Sequence, residues 1–228
     1  MTKKFELVLD DTISFWGRKL FRIRALISFG SVEVGDLGGY IQKEENLSHD
    51  GNAWVSGNAK VWGDAEVSGN AKVWGNAKVL GNAEVWGNAE VSGNAKVSGN
   101  AEVSGNAKVL GNAKVWGNAK VWGNAEVSGN AKVWGDAKVS GDAKVWGNAK
   151  VWGNAKVSEL GDIIVFKNHW SSGRHFTYTK SNKMWKVGCF YGTGQELIEK
   201  AYRDSEKSGN YYKAYVDFVE TLERLSEE

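Results

Sequence analysis

The sequence predicts a mainly β fold in which short parallel strands wind into a coil with flat sides. The first observation is a six-residue phrase, G-[ND]-A-x-V-x, which occurs eighteen times between Gly51 and Ser158 without an insertion. The second is that alanine and valine lie two residues apart in every phrase, so both point to the same side of an extended segment. The third is the Gly-Asn or Gly-Asp pair between phrases, which tolerates the positive φ of a sharp corner.

Two other folds fit these repeats less well. A helix with a glycine in every six residues loses about 1 kcal/mol at each one relative to alanine, and valine is a poor helix former. A meander of hairpins is disfavoured because glycine precedes asparagine here, whereas the tight hairpin turn prefers the order Asn-Gly. With a strict period of six residues, every strand would also present the same positions of the hexad to the same side.

Residues 1–50 predict an N-terminal β cap. Apolar residues alternate in 5–9 and in 20–27, and Gly17 lies between the two runs, which predicts a hairpin or a small sheet. An imperfect first coil is expected to follow, with apolar residues at spacings of seven and six: Val34, Ile41 and Leu47.

Residues 159–228 predict a small βββαα domain that caps the last coil. A first helix begins near Thr193, Ser208-Gly209-Asn210 is expected to end it, and a second helix follows with apolar residues at helical spacing. The three predicted strands are 163–166, 176–179 and 184–190.

The repeats resemble the hexapeptide-repeat family of left-handed parallel β-helices, whose aliphatic, small and asparagine positions are matched by Val, Ala and Asn in each phrase. The resemblance implies left-handed winding with three hexads per coil, and therefore six regular coils over residues 51–158. The flanks are similar to a group of bacterial and phage hexapeptide-repeat proteins that are often labelled as transferases or polymer-forming proteins. The matching stretches are R-I-R-A-L from Arg22, G-D-L-G-G-Y-I-Q-K-E-E-N-L-S from Gly35 and V-G-C-F-Y-G-T from Val187.

If hexads three apart stack, the outward positions form three different faces. The position between alanine and valine defines each face, and the position after valine supplies eight Trp, eight Ser and two Leu. The lysine face consists of Lys60, Lys78, Lys96, Lys114, Lys132 and Lys150. The alternating face consists of Trp54, Lys72, Glu90, Lys108, Glu126 and Lys144. The divided face consists of Glu66, Glu84, Glu102, Lys120, Lys138 and Lys156.

The lysine face is the candidate binding surface. Neighbouring lysines about 4.8 Å apart repel by roughly 1 kcal/mol even in water, so the row favours an anionic visitor. That visitor is either a polyanion or the acidic end of the divided face on another copy. Indoles beside the lysines offer stacking area: Trp62, Trp116, Trp134 and Trp152.

The alternative interpretation is a hydrated lysine row whose stems cover the indoles and which binds nothing. Eight outward indoles, however, form a larger apolar surface than monomers usually show. We therefore expect a homo-oligomer or a protein partner that binds through a tryptophan-bearing side.

Two other function classes stay open. Acyltransferases of the resembled family use a histidine base near a loop that interrupts the coils, but residues 51–158 contain neither, so no catalytic residue can be transferred. A transferase with a site between subunits is one alternative, and a binder of small anions such as nucleotides along the lysine face is the other. A nucleophilic pair of Cys189 with His169 or His175 is conceivable, but Cys189 is expected to be a packed apolar residue.

Composition narrows the remaining possibilities. Lys and Arg number 29 against 27 Asp and Glu, so nucleic-acid binding is not expected. No apolar segment approaches a membrane span, and a single cysteine suits a reducing compartment, so we expect a cytoplasmic protein, in a host cell if a phage encodes it. His169, His175 and Cys189 match no metal-ligand spacing, and neither a metal nor a cofactor is expected.

Overall fold

The computed structural model describes residues 2–226, which belong to two compact units, 1–160 and 161–228. The first is a parallel β-solenoid of about seven coils, and the second is a small α/β unit with two helices and one sheet. The predicted mainly β fold class is therefore confirmed. No helix within residues 2–226 combines the length and the apolar character needed to cross a membrane.

The strands of the solenoid are short. Three strands precede the repeats: β1 (Phe5–Phe15), β2 (Arg18–Ala25) and β3 (Leu37–Ile41). Each hexad then adds one strand: β4 (Trp54–Val55), β5 (Lys60–Gly63), β6 (Glu66–Val67), β7 (Lys72–Val73), β8 (Lys78–Gly81), β9 (Glu84–Val85), β10 (Glu90–Val91), β11 (Lys96–Gly99), β12 (Glu102–Val103), β13 (Lys108–Val109), β14 (Lys114–Gly117), β15 (Lys120–Val121), β16 (Glu126–Val127), β17 (Lys132–Gly135), β18 (Lys138–Val139), β19 (Lys144–Val145), β20 (Lys150–Val151) and β21 (Lys156–Val157).

Hexads eighteen residues apart pair in parallel and in register, as predicted. Lys60 lies opposite Lys78, and Glu66 lies opposite Glu84. One six-stranded sheet, β4 to β19, carries the alternating face, and another, β6 to β21, carries the divided face. The lysine face belongs to a nine-stranded sheet that also contains β1, β2 and β3.

The core of the solenoid consists of the alanine and valine of every hexad, each of which is at most 1% exposed. Corner glycines allow the coils to stack this closely. At Gly105, φ is +67°, and a Cβ would lie 3.0 Å from the backbone nitrogen of Gly123 in the next coil. A side chain there would therefore suffer both the unfavourable φ and the close approach.

Asparagines at the corners join the coils with side-chain hydrogen bonds. The backbone N–H of Asn106 donates to the carbonyl of Gly123 at 2.8 Å, and its side-chain amide donates to Oδ1 of Asn124 at 3.0 Å. The second position of the hexad therefore stabilises the stack as well as the corner.

The predicted N-terminal hairpin is present and is longer than the apolar pattern indicates. An irregularity between Val8 and Thr12 lets β1 continue to Phe15, and β2 pairs antiparallel with both β1 and β3. The hairpin thus covers the first edge of the nine-stranded sheet, an edge that would otherwise expose unpaired backbone groups.

The imperfect first coil is also present, with one correction. Ile41 pairs with Val61, a 3-10 turn follows at Glu44–Asn46, and Leu47 bridges to Val67. Val34, expected to belong to this coil, is instead 65% exposed in a turn and contributes nothing to the core.

The second unit contains a four-stranded antiparallel sheet and two α-helices. Its core comprises Phe176, Tyr178, Trp185, Leu197, Ala201, Tyr212, Val216 and Val219. Two 3-10 turns, at Leu160–Asp162 and Lys180–Asn182, precede β22 and β24 respectively. The remaining elements are β22 (Ile163–Lys167), β23 (His175–Thr179), β24 (Met184–Val187), β25 (Phe190–Gly192), α1 (Gly194–Asp204) and α2 (Glu206–Leu225).

Two boundaries in this unit differ from the prediction. The expected strand 184–190 is split into β24 and β25 by a turn at which Gly188 has a φ of +55°. The expected helix break at Ser208–Asn210 lies instead at Ser205, whose side chain accepts a hydrogen bond from the backbone of Ser208 and so caps α2. Gly209 is a buried residue inside α2.

Candidate functional site

The lysines of the lysine face form one vertical row. Parallel pairing aligns each of them with the lysine of the next coil from Lys60 to Lys150. The row is as predicted, because the resemblance to hexapeptide-repeat proteins implied that hexads three apart stack.

The tip of the N-terminal hairpin covers the first three rows of the lysine face. The Nζ atoms of Lys60 and Lys78 lie 5.4 Å and 5.2 Å from the centre of the Phe15 ring. The Nζ of Lys96 lies 5.5 Å from the centre of a Trp16 ring. Each ammonium thus lies at the distance of a cation–π contact, and the aromatic tip already occupies the positions that an external ligand would take.

Burial on this face lowers the pKa of two lysines. Burial lowers the pKa of Lys60 below its ordinary value, and the charge of Lys78 lowers that pKa further. Burial also lowers the pKa of Lys96, with additional repulsion from Lys114 and Lys78. The covered rows are therefore poorer anion sites than the sequence alone suggests.

Trp62 does not offer the stacking area that the sequence predicts on the lysine face. Its indole is only 4% exposed and packs edge-on against Phe15, with ring centres 5.3 Å apart. Leu20 and Tyr40 complete the same apolar cluster. Trp62 therefore anchors the hairpin on the solenoid and is not accessible to a ligand.

Phe15 and Trp16 are the residues that sequence reasoning missed. Two aromatic residues next to the Gly17 turn form an apolar hairpin tip, and such a tip needs a surface to pack on. That signal was present in the sequence, but the partner row begins 44 residues further along the chain, at Lys60.

Beyond the hairpin tip, the lysine face carries a stack of indoles. The indole rings of Trp116 and Trp134 are stacked and nearly parallel, with an interplanar angle of 3° and ring centres 4.8 Å apart. Trp152 continues the stack, 5.2 Å from Trp134. Trp134 and Trp152, together with Lys150, also have further interaction partners.

Lys114 and Lys132 lie beside this stack and carry uncompensated charge. They are adjacent in register, and neither forms an ion pair with any group in residues 2–226. Two like charges about one strand spacing apart attract an anion more strongly than either charge alone.

The divided face has a different distribution of charge. Glu66, Glu84 and Glu102 stack in register at one end, and Lys120 and Lys138 follow. Glu102 and Lys120 meet at the change of sign, with a carboxylate oxygen 2.7 Å from Nζ. Two indoles beside this column are among the most exposed in the solenoid: Trp86 at 45% and Trp122 at 36%.

The alternating face places each glutamate between two lysines of its own column. Glu90 lies between Lys72 and Lys108, and its carboxylate lies 3.7 Å from Nζ of Lys108. At its first row, Trp54 is 8% exposed and packs edge-on against Phe29. With three lysines and two glutamates, this face has an excess of only one positive charge.

The histidines and the cysteine of the second unit have different environments. Nδ1 of His169 lies 3.4 Å from the hydroxyl of Tyr215, and His175 pairs with Lys167 in the sheet. Cys189 is exposed in the turn after β24, which corrects the expectation of a packed residue. Among residues 2–226 neither histidine is hydrogen bonded to it.

The second unit contains one buried polar pair of note. The hydroxyl of Tyr178 donates to a carboxylate oxygen of Glu223, and the Nζ of Lys183 lies 3.6 Å from the other oxygen. Burial raises the pKa of Tyr178, and its hydrogen bond to Glu223 raises that pKa further. The phenol therefore stays protonated and acts as a fixed donor.

No group of three or more His, Cys, Asp or Glu side chains within the described part of the chain, 2–226, is arranged to hold a metal ion. Comparison with known proteins adds nothing to this assignment, since no protein-family model matches the chain and no curated protein matches it either.

Proposed function

We propose that this chain is a non-catalytic binding and assembly protein, and that its lysine face binds an extended acidic polypeptide in the rows from Lys114 onward. The observation that carries this proposal is the uncompensated pair Lys114 and Lys132 beside the stacked indole of Trp116. The rows before Lys114 are excluded because the hairpin tip covers them.

The expected interaction is modest in strength and sensitive to salt. Exposed ion pairs contribute roughly 0.2–1 kcal/mol each, and salt screens them over about 10 Å at 0.1 M. The half-buried indole of Trp116 adds apolar contact area next to the charges. An extended acidic chain could place a carboxylate near each lysine. Residues along an extended chain and lysine rows along the solenoid both repeat at short, regular intervals.

Non-catalytic action is proposed because, among residues 2–226, neither histidine of the second unit is hydrogen bonded to Cys189. On the resemblance of its repeats and flanks, we also propose that the chain is a left-handed hexapeptide-repeat protein of bacterial or phage origin that acts in the cytoplasm. The quoted motifs support the proposed family and origin, and the single cysteine supports the proposed compartment.

A titration with labelled poly-L-glutamate tests the proposed binding. The double variant Lys114→Glu, Lys132→Glu is expected to weaken binding at least about tenfold at low salt, because two attractive contacts become repulsive. The matched control is Lys108→Glu, Lys144→Glu on the alternating face, which changes the net charge by the same amount. We expect the control to bind within about twofold of the wild type.

Equal weakening in both double variants would show that only net charge matters and would overturn the proposal. An absence of binding by the wild-type protein at low salt would overturn it as well. A single-stranded DNA of similar length and charge, binding more tightly than poly-L-glutamate, would reassign the face to nucleic acid.

A further inference from the structure

The divided face sorts its charges instead of alternating them. Three glutamates occupy successive rows, followed by lysines. Glu66, Glu84 and Lys138 form no ion pair within residues 2–226, so three of the six charges on this face have no ion-pair partner there.

Sorting costs the isolated chain free energy. Like charges about 4.8 Å apart repel by roughly 1 kcal/mol in water, whereas alternating charges would attract by a similar amount. The alternating face shows that this same scaffold can carry the favourable order. The sorted order therefore calls for a partner that compensates each end separately.

We propose that the partner is a second copy of this chain, bound antiparallel through the divided face. A two-fold axis parallel to the strands would place the column of one copy against the reversed column of the other. Glu84 would then face Lys138 of the second copy, and Glu102 would face Lys120, so each of these rows meets the opposite sign. In the outermost row, Glu66 would likewise face Lys156 of the second copy.

The side chains at the position after valine are also complementary in size when the two-fold axis reverses their column. Along the divided face this column reads Ser68, Trp86, Ser104, Trp122, Ser140. In the reversed pairing Trp86 faces Ser140, and Trp122 faces Ser104. The two exposed indoles are thereby buried against small residues of the second copy without meeting each other.

Only one antiparallel register satisfies both columns. A shift of one coil in one direction places Glu102 opposite its own copy and Trp86 opposite Trp122. A shift in the other direction places Lys120 and Trp122 opposite their own copies. The lysine face cannot pair in this way, because all its charges have one sign. In the alternating face each glutamate already lies between two lysines of its own column, so it does not need a second copy to compensate it.

The size of the face predicts a weak dimer. Six rows at about 4.8 Å and a side roughly 17 Å wide bury about 500 Å² per copy, which is below the roughly 800 Å² per partner of a stable interface. We therefore expect dissociation constants on the order of micromolar and a strong dependence on salt.

Sedimentation velocity on the wild type, two single variants and their mixture tests the proposal. Glu84→Lys alone and Lys138→Glu alone each place two like-charge contacts in the dimer, so each is expected to weaken self-association at least about tenfold. An equimolar mixture of the two variants restores both contacts, because positions 84 and 138 are both lysine in one variant and both glutamate in the other. The mixture is therefore expected to form a heterodimer with an affinity within about threefold of the wild type.

The restored mixture distinguishes loss of contact from loss of folding, since two damaged proteins would not repair each other. The matched control Glu126→Lys on the alternating face is expected to leave self-association unchanged. The proposal is overturned if the wild-type protein stays monomeric at high concentration and low salt, or if the mixture associates no better than either variant alone. Poly-L-glutamate binding at Lys114 and Lys132 is measured separately, so either proposal can fail without the other.

Discussion

At the residue scale, Lys4 closes one open end of the solenoid. Its ammonium donates to the carbonyls of Gly51 and Ala53, at 3.3 Å and 3.0 Å, and the residue is 1% exposed. In later coils the corresponding carbonyls accept hydrogen bonds from the preceding coil, as Ala71 does from the backbone N–H of Trp54. No regular coil precedes Ala53 on this side, so Lys4 supplies the missing donor.

Lys4 also predicts how stability changes with pH. Burial lowers its pKa from the ordinary 10.5 to about 8, against a smaller opposing effect of Asp50. Between these two values the unfolded chain retains a proton that the folded chain has released, so the unfolding free energy rises with pH. We expect urea unfolding to show that the advantage of the wild type over Lys4→Met grows by about 2 kcal/mol between pH 7 and pH 10. An advantage that is the same at both pH values would contradict this.

Single residues were predictable from the sequence where local geometry alone decides their environment. Alanine and valine point inward because they lie two apart in an extended segment, and every one of them is buried. Trp62 occupies an outward position by the same rule, yet a hairpin that is distant in sequence covers it. Cys189 lies two residues after Val187 and would point to the same side of a continuous strand. The positive φ of Gly188 instead turns the chain before Cys189.

At the element scale, the amide rows at the corners have a defined polarity. Along two of the three corners, asparagines donate their side-chain amides to the next coil, as in the bond from Asn88 to Asn106 at 3.0 Å. A carboxylate can only accept, and Asp142 stands in the last row, where it accepts from Asn124 at 3.0 Å. Asp64, in the first row of another corner, cannot donate to Asn82, and Lys43 binds it at 2.8 Å instead.

The pairing of strands was predictable and the boundaries of the helices were not. A slip of one residue would expose the apolar column, so the pattern fixes the register within a hexad, and the resemblance to hexapeptide-repeat proteins implied that hexads three apart pair. In the second unit, Ser208-Gly209-Asn210 has the composition of a break, but Ser205 caps α2 three residues earlier. Gly209 is needed for packing: a Cβ there would lie 2.2 Å from the ring of Tyr202 on α1.

A double-mutant cycle checks this explanation of Gly209. Gly209→Ala is expected to destabilise the second unit by about 1–2 kcal/mol, because overpacking against the ring outweighs the gain of about 1 kcal/mol in helix propensity. In a Tyr202→Ala background the same substitution is expected to stabilise the unit, by up to about 1 kcal/mol. Urea unfolding followed by helical circular dichroism measures all four proteins. The same sign of effect in both backgrounds would show that the ring is not the reason for glycine.

At the scale of the whole molecule, the period of the sequence determines three chemically different faces. An eighteen-residue coil brings every third hexad to the same side, so the order of Lys, Glu, Trp and Ser along the chain becomes a set of vertical columns. These columns were predictable because no long-range choice is involved. Which of them the hairpin covers was not, because packing of the Phe15 and Trp16 tip depends on tertiary contacts.

The second unit is expected to fold when residues 161–228 are expressed alone. Its core is formed among its own residues, with Trp185 at 2% and Val219 at 1% exposed, and α1 packs on α2. Burial of four aromatic and four aliphatic residues suits a small stable unit, although domains of this size have a narrow margin of stability. The isolated fragment should show helical circular dichroism and a cooperative thermal transition, and Trp185→Ala should abolish the transition, because losing a buried Trp costs about 3–5 kcal/mol. A disordered wild-type fragment would show instead that this core needs the rest of the chain.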